Sequence, residues 1–101
     1  MTEQEIEDEI RQKKLDAPRL TPDYIDGLIV DELYHVFPNT TTTVCCLVLK
    51  NNSTVVGESA CVSRANFDAE LGRKVAKEKA RREIWIREGY LLAQRLFEET
   101  P

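Results

Sequence analysis

NTTTTVCCLVLKNNSTVVGESACVSRANFDAELG, residues 39–72, decides the fold of this chain. It reads as a strand, a tight turn, an answering strand, a short connection and the start of a helix. Residues 42–50 are the strongest strand, rich in β-branched and apolar side chains, and residues 53–62 answer it. Asn51-Asn52 supplies a two-residue hairpin turn, since asparagine tolerates positive φ. That turn predicts a register in which Val48 faces Val55, Cys46 faces Gly57 and Val44 faces Ser59. On the other face Leu49 meets Thr54, Leu47 meets Val56 and Cys45 meets Glu58.

Four expectations follow. Cys45 and Cys46 point to opposite faces, so they do not share a metal. Val44, Cys46 and Val48 line one face and Cys45, Leu47 and Leu49 the other, so both sides of the strand call for cover. A single chain offers one substantial helix, and a second subunit is expected to supply the rest. Glu58, set among Leu47, Val56 and Cys45, would need an arginine partner or a ligand hydroxyl. Gly57 marks a bulge or a close backbone approach.

Downstream, Ser63 caps a short turn, Asp68 caps the main helix, and Phe67 between them is expected to anchor the corner in the core. Residues 69–98 are helical in pattern. Gly72, Ala76, Ala80 and Ile84 fall four apart, a stripe of small residues that lets the helix lie close to the sheet. Arg73, Lys77 and Arg81 form a neighbouring cationic stripe. Gly89 weakens the pattern and predicts a bend. Beyond it Tyr90, Leu91, Leu92, Leu96 and Phe97 make an apolar end, and Trp85, Ile86, Leu92 and Leu96 leave apolar groups on more than one face, which again fits assembly.

Upstream, residues 1–20 form an acidic arm. Thr2 can cap a helix over residues 2–14, whose apolar face is only Ile6 and Ile10. Thr21-Pro22-Asp23 starts a short helix that Gly27 ends. Residues 29–37 read as a strand closed by Pro38, and residues 39–41 as a polar connection. The expected architecture is α+β: one domain of 101 residues, with an antiparallel sheet over 29–62, a helical region over 66–98 and short N-terminal helices.

The formal net charge of -4 argues against a dedicated nucleic-acid binder, although Arg73, Lys74, Lys77, Lys79, Arg81, Arg82 and Arg87 crowd one segment. The three cysteines are odd in number and fit no spaced motif. With no signal peptide or apolar span visible, they are expected reduced, in a cytoplasmic setting and away from membranes. No catalytic set assembles. His35 is the one histidine, and the nucleophile candidates Ser59 and Cys61 lack an evident base. No cofactor motif, metal-ligand spacing or Gly-rich phosphate loop is present. The chain is therefore expected to bind rather than to catalyse. Asparagine pairs both edges of adenine, aromatic rings stack on bases and arginine forks onto phosphate. Asn39, Thr40, Thr41, Asn66, Tyr34, Phe37 and the arginine-bearing helix supply such groups near one end of the hairpin.

The pattern TTTTVCC, a hairpin, GESACV, ANFDAELGRK, then IW and EGYLL, over roughly residues 36–96, resembles a family of small phage and prophage proteins. That family resembles in turn the type 1 Thoeris anti-defence proteins, viral sponges that hold cyclic ADP-ribose-like immune signals without cleaving them. The resemblance implies a phage-encoded, non-enzymatic protein of the host cytoplasm. It further implies a homo-oligomer, a dimer or a trimer of dimers, that binds cyclic nucleotides between subunits, cyclic oligonucleotides of other defence systems included. It points to Asn66 and Phe67 of the ANFD motif and to Arg81 and Arg82 as pocket residues. An interaction or structural module, or a nucleic-acid binder using the basic helix, is the alternative. The chain departs from the family where Ser63-Arg64 replaces Asp-Pro, Asn51-Asn52 replaces Asn-Gly and Trp85-Ile86 replaces Trp-Pro. The last makes the helix more continuous.

Overall fold

The computed structural model describes residues 1–101. A helix α1 (Glu3–Gln12) begins at Thr2, whose hydroxyl accepts from the Glu5 amide while the Glu5 carboxylate accepts from the Thr2 amide. This reciprocal capping box satisfies two amides that a helix start leaves open. A second helix α2 (Pro22–Gly27) is capped by Thr21 through the Tyr24 amide, with proline in the first turn. The strands β1 (Ile29–Val36), β2 (Thr42–Leu49) and β3 (Thr54–Ala60) follow and form an antiparallel sheet in the order β1-β2-β3. A single 3-10 turn (Arg64–Asn66) leads into the long helix α3 (Ala69–Glu99), capped by Asp68 through the Leu71 amide. Ser63 occupies the cap position of the 3-10 turn but makes no side-chain capping bond.

The hairpin between β2 and β3 corrects the expected register by one residue. Leu47 pairs with Val55, Cys46 with Val56, Cys45 with Gly57 and Val44 with Glu58. The Leu49 amide donates to Ser53 carbonyl and the Asn52 amide to Leu49 carbonyl, both at 2.9 Å. The loop is therefore the three residues Lys50, Asn51 and Asn52, closed by Asn52 at φ 69°. A three-residue loop ending in a left-handed residue is the common alternative to the two-residue turn. Because side chains alternate, the slip moves Val55, Gly57 and Ser59 onto the face of Cys45 and Leu47. Glu58 moves to the opposite face, where it is exposed and needs no partner.

That first face is the core. Cys45, Leu47, Leu49 and Val55 pack against Ala76, Ala80 and Ile84 of α3, and Ile25 of α2 closes one end. The helix lies close because Gly57 has no side chain. A Cβ there would stand 2.3 Å from the Ala76 carbonyl oxygen and from the Ala80 amide nitrogen. The glycine is thus a close approach, not a bulge. Gly72 plays a lesser part, with Thr43 Oγ1 2.9 Å from where its Cβ would be.

The other face of the sheet carries Leu33 and Val56, both exposed, flanking half-buried Cys46. Helix α3 continues unbroken through Gly89 and runs past the sheet, leaving Ile86, Tyr90, Leu91 and Phe97 exposed. The expected bend at Gly89 is absent: the residue keeps the helical conformation, and one glycine within a long helix costs only about 1 kcal/mol. The molecule measures 56 × 31 × 20 Å. No helix is long and apolar enough to cross a membrane.

Candidate functional site

The site is built where the β1–β2 connection meets the β3–α3 corner. Phe37, Pro38, Asn39 and Thr40 make a turn closed by the Thr40 amide on the Phe37 carbonyl at 3.1 Å. Proline at the second position and Asn39 at φ 62° in the third are the signature of a type II turn. Thr40 Oγ1 donates to the Phe37 carbonyl at 2.8 Å and accepts from the Thr42 amide. The Thr41 hydroxyl donates to the Cys61 carbonyl, tying the connection to the end of β3. Arg64 donates to the Asn39 carbonyl from the opposite side. Both threonine hydroxyls therefore shape the wall and are occupied in doing so.

The corner has its own logic. The amides of Asn66 and Phe67 donate back to Ser63 and Arg64 carbonyls at 3.1 Å, which winds the 3-10 turn. Asp68 then starts α3. Phe67, expected in the core, is half-buried and stands instead between two clefts. Beside it β3 and α3 are joined directly, Ser59 Oγ donating to the Gly72 carbonyl at 2.7 Å, and Phe67 is not among the residues of the core.

One cleft, of about 180 Å³, runs along α3 beside the end of β3. Its walls are Ser59 to Cys61 on the strand, Asn66 and Phe67 at the corner, and Leu71, Val75 and Lys79 on the helix. The second, of about 170 Å³, is bounded by Asn39, Thr40, Thr41, Arg64 and Phe67. Thr41 and Phe67 line both. The groups left to meet a ligand are the side-chain amides of Asn39 and Asn66, the Phe67 ring, two cations, Arg64 and Lys79, and the free oxygen of Asp68, whose other oxygen caps α3. An amide reads a base edge, a ring stacks and a cation holds phosphate. No group of three or more histidine, cysteine or carboxylate side chains is placed to hold a metal ion.

Asn39, Thr40, Thr41, Asn66 and Phe67 are thus brought together, and Tyr34, Arg81 and Arg82 are not. Tyr34 lies on β1 opposite Cys45 and donates its hydroxyl to Glu32 at 3.0 Å. Desolvation, then that bond, raises its pKa. Burial likewise raises the Cys45 thiol, which keeps it protonated. Arg81 is 7% exposed and held by carboxylates. It donates from Nε to Asp26 at 2.7 Å, and its terminal nitrogens reach Glu3 at 2.7 and 3.0 Å. Arg82 is exposed and lines neither cleft. Two cleft cations were not singled out from sequence: Arg64, visible only as a departure from the family pattern, and Lys79, which falls eleven residues after Asp68 and so on its helix face.

Residues 20–96 match the model of the Phage protein (N4 Gp49/phage Sf6 gene 66) family. No curated protein and no solved structure matches the chain.

Proposed function

The chain belongs to that phage protein family, and from this premise we propose that it binds and sequesters a cyclic nucleotide immune signal without cleaving it, so blunting host immunity. The observation that carries this reading is the meeting of Asn39, Asn66 and Phe67 with Arg64 and Lys79 around two adjoining clefts. Amide, ring and cation are the groups that a nucleotide with phosphates requires. The likeness of the TTTTVCC, GESACV and ANFDAELGRK segments to Thoeris anti-defence sponges gives the same ligand class. A cyclic ADP-ribose isomer has one adenine, two riboses and a pyrophosphate to satisfy.

Each cleft is smaller than the roughly 300 Å³ at which small-molecule sites begin. In this reading a second copy lies over the two adjoining clefts and encloses the ligand. The exposed Tyr90 and Phe97 of α3 and the uncovered face of β1, β2 and β3 offer the surfaces for that pairing. A phage interaction module is the second reading, supported by the same overhanging helix. Nucleic-acid binding is less well supported, because Lys77 and Arg81 of the basic segment are already held by Glu32, Asp26 and Glu3.

Calorimetry with purified protein and cyclic ADP-ribose isomers tests the proposal. Tight binding, with intact ligand recovered after heat denaturation, is the expected result. Recovery of a hydrolysed product would make the protein an enzyme. Absence of binding to every cyclic nucleotide tried would leave the interaction module as the better reading, to be pursued by pull-down from infected cells.

A further inference from the structure

At the far end of the molecule lies a third cleft, larger than the other two at about 310 Å³. It opens between the β2–β3 loop and the middle of α3, and shares no lining residue with the proposed nucleotide site. Its floor is apolar: Leu49 and Ile84 are core residues, and Leu28 and Leu91 complete it. Its rim is not neutral. Lys50 stands exposed at the loop with no carboxylate bound to its ammonium. Arg87 gives one terminal nitrogen to the Thr54 carbonyl at 3.0 Å, which fixes its guanidinium at the rim and leaves its other donors open. The one acid there, Glu88, accepts the Tyr24 hydroxyl at 3.1 Å.

The backbone around the cleft is pinned. The Lys50 amide donates to the Leu28 carbonyl at 3.0 Å, joining the start of β1 to the loop. Asn51 Oδ1 accepts the Ser53 amide at 3.0 Å, which leaves its amide nitrogen as a donor. The rim therefore presents an excess of donors over an apolar floor. Donors in excess call for an anion, and the floor calls for an apolar body. The volume meets the lower bound for a small-molecule site, which neither of the other clefts does alone.

We infer that this cleft is a second, independent site for a compact organic anion: an aryl or branched-alkyl group seated on Leu28, Leu49, Ile84 and Leu91, with its phosphate or carboxylate on Lys50 and Arg87. Phenyl phosphate is the probe, titrated into uniformly 15N-labelled full-length protein. The amides of residues 50–53 and 87–91 shift together and saturably, while those of residues 39–41 and 64–68 move less. Inorganic phosphate and benzyl alcohol, each carrying half of the chemistry, bind about tenfold more weakly or worse, the loss of one charge-assisted hydrogen bond or of the ring's burial.

Lys50→Gln alters an exposed loop side chain without a partner, so it keeps the fold and weakens phenyl phosphate by about tenfold. Leu91→Ala, on the exposed side of α3, weakens both phenyl phosphate and benzyl alcohol. Three results overturn the inference: no shift of residues 50–53 and 87–91, benzyl alcohol binding as tightly as phenyl phosphate, or unchanged affinity in Lys50→Gln. Binding of a cyclic nucleotide at the first two clefts neither requires nor excludes this site, so the two proposals fail separately.

Discussion

Gly57 carries more of the fold than any other single residue. Its missing side chain is what allows the backbone of α3 at Ala76 and Ala80 to reach β3. Gly57→Ala puts a methyl group 2.3 Å from backbone atoms that have no flexible way out. It is expected to lower unfolding free energy by about 2 kcal/mol or more, read from urea denaturation. The stripe Gly72, Ala76, Ala80, Ile84 announced a close helix, and Gly57 announced either a bulge or a close approach. Only the packing chose between them. Thr43 offers the opposite case. It is fully buried, and its Oγ1 has no hydrogen-bond partner. Thr43→Val keeps the shape and removes the unpaired hydroxyl, so a gain of about 1 kcal/mol is expected in the same measurement. Nothing in TTTT distinguishes this threonine from its neighbours. Alternation along β2 puts it on the face of Cys45, Leu47 and Leu49, and packing decides that α3 covers that face.

Among the elements, α1 is held differently from the rest. Its buried residue is Glu7, not an isoleucine, and Ile6 stays exposed. Two carboxylate–guanidinium forks dock it: Glu7 to Arg19, both bonds at 2.8 Å, and Glu3 to Arg81. The helix lies outside the stretch that matches the family. The Arg19 hydrogen bond holds the Glu7 carboxyl below its ordinary range. A carboxylate whose folded value is depressed stabilises the docked state above its unfolded value, and that stabilisation is lost as pH falls through the folded one. Protection of the α1 amides, taken relative to the intrinsic exchange rate at each pH, is therefore expected to fall below about pH 4 while the sheet amides stay protected. Salt near 1 M, where the screening length is about 3 Å, should do the same at neutral pH if exposed pairs dominate. Protection of α1 unchanged under both conditions would show that some other contact holds it. Replacing Arg81 by Met leaves Glu3 and Asp26 facing each other, both half exposed. A loss of about 1–2 kcal/mol is expected, short of the value for a fully buried pair.

The whole molecule is long for its size. Its radius of gyration is 16.8 Å, against about 13 Å for a compact chain of about a hundred residues. The excess comes from α3, whose 31 residues span roughly 46 Å. Tyr90 and Phe97 on the overhang are each 76% exposed. A helix that projects apolar side chains into water gains by packing on another copy. Light scattering on a micromolar solution is expected to give a dimer or larger species. Tyr90→Glu combined with Phe97→Glu should shift it toward monomer while the circular dichroism of the sheet and the first half of α3 persists. A wild-type chain that stays monomeric would remove both the pairing and the shared nucleotide site.

Alternation, capping residues and turn residues act over a few positions, and these were legible. Thr2, Thr21 and Asp68 as caps, the three strands, Pro38 as a stop and the small-residue stripe of α3 all follow from local chemistry. The gathering of Asn39, Thr41, Asn66 and Phe67 was legible in part, because a hairpin and a following helix bring their ends to one place. What needed three dimensions was every choice between locally equivalent options. A loop of two residues or three decides which face Glu58 and Gly57 occupy. Arg81 and Arg82 differ by one residue and about 100° around a helix, yet the first is locked between Glu3 and Asp26 while the second faces solvent. Such outcomes depend on carboxylates distant in the chain and on which backbone has room for them, and no local pattern encodes either.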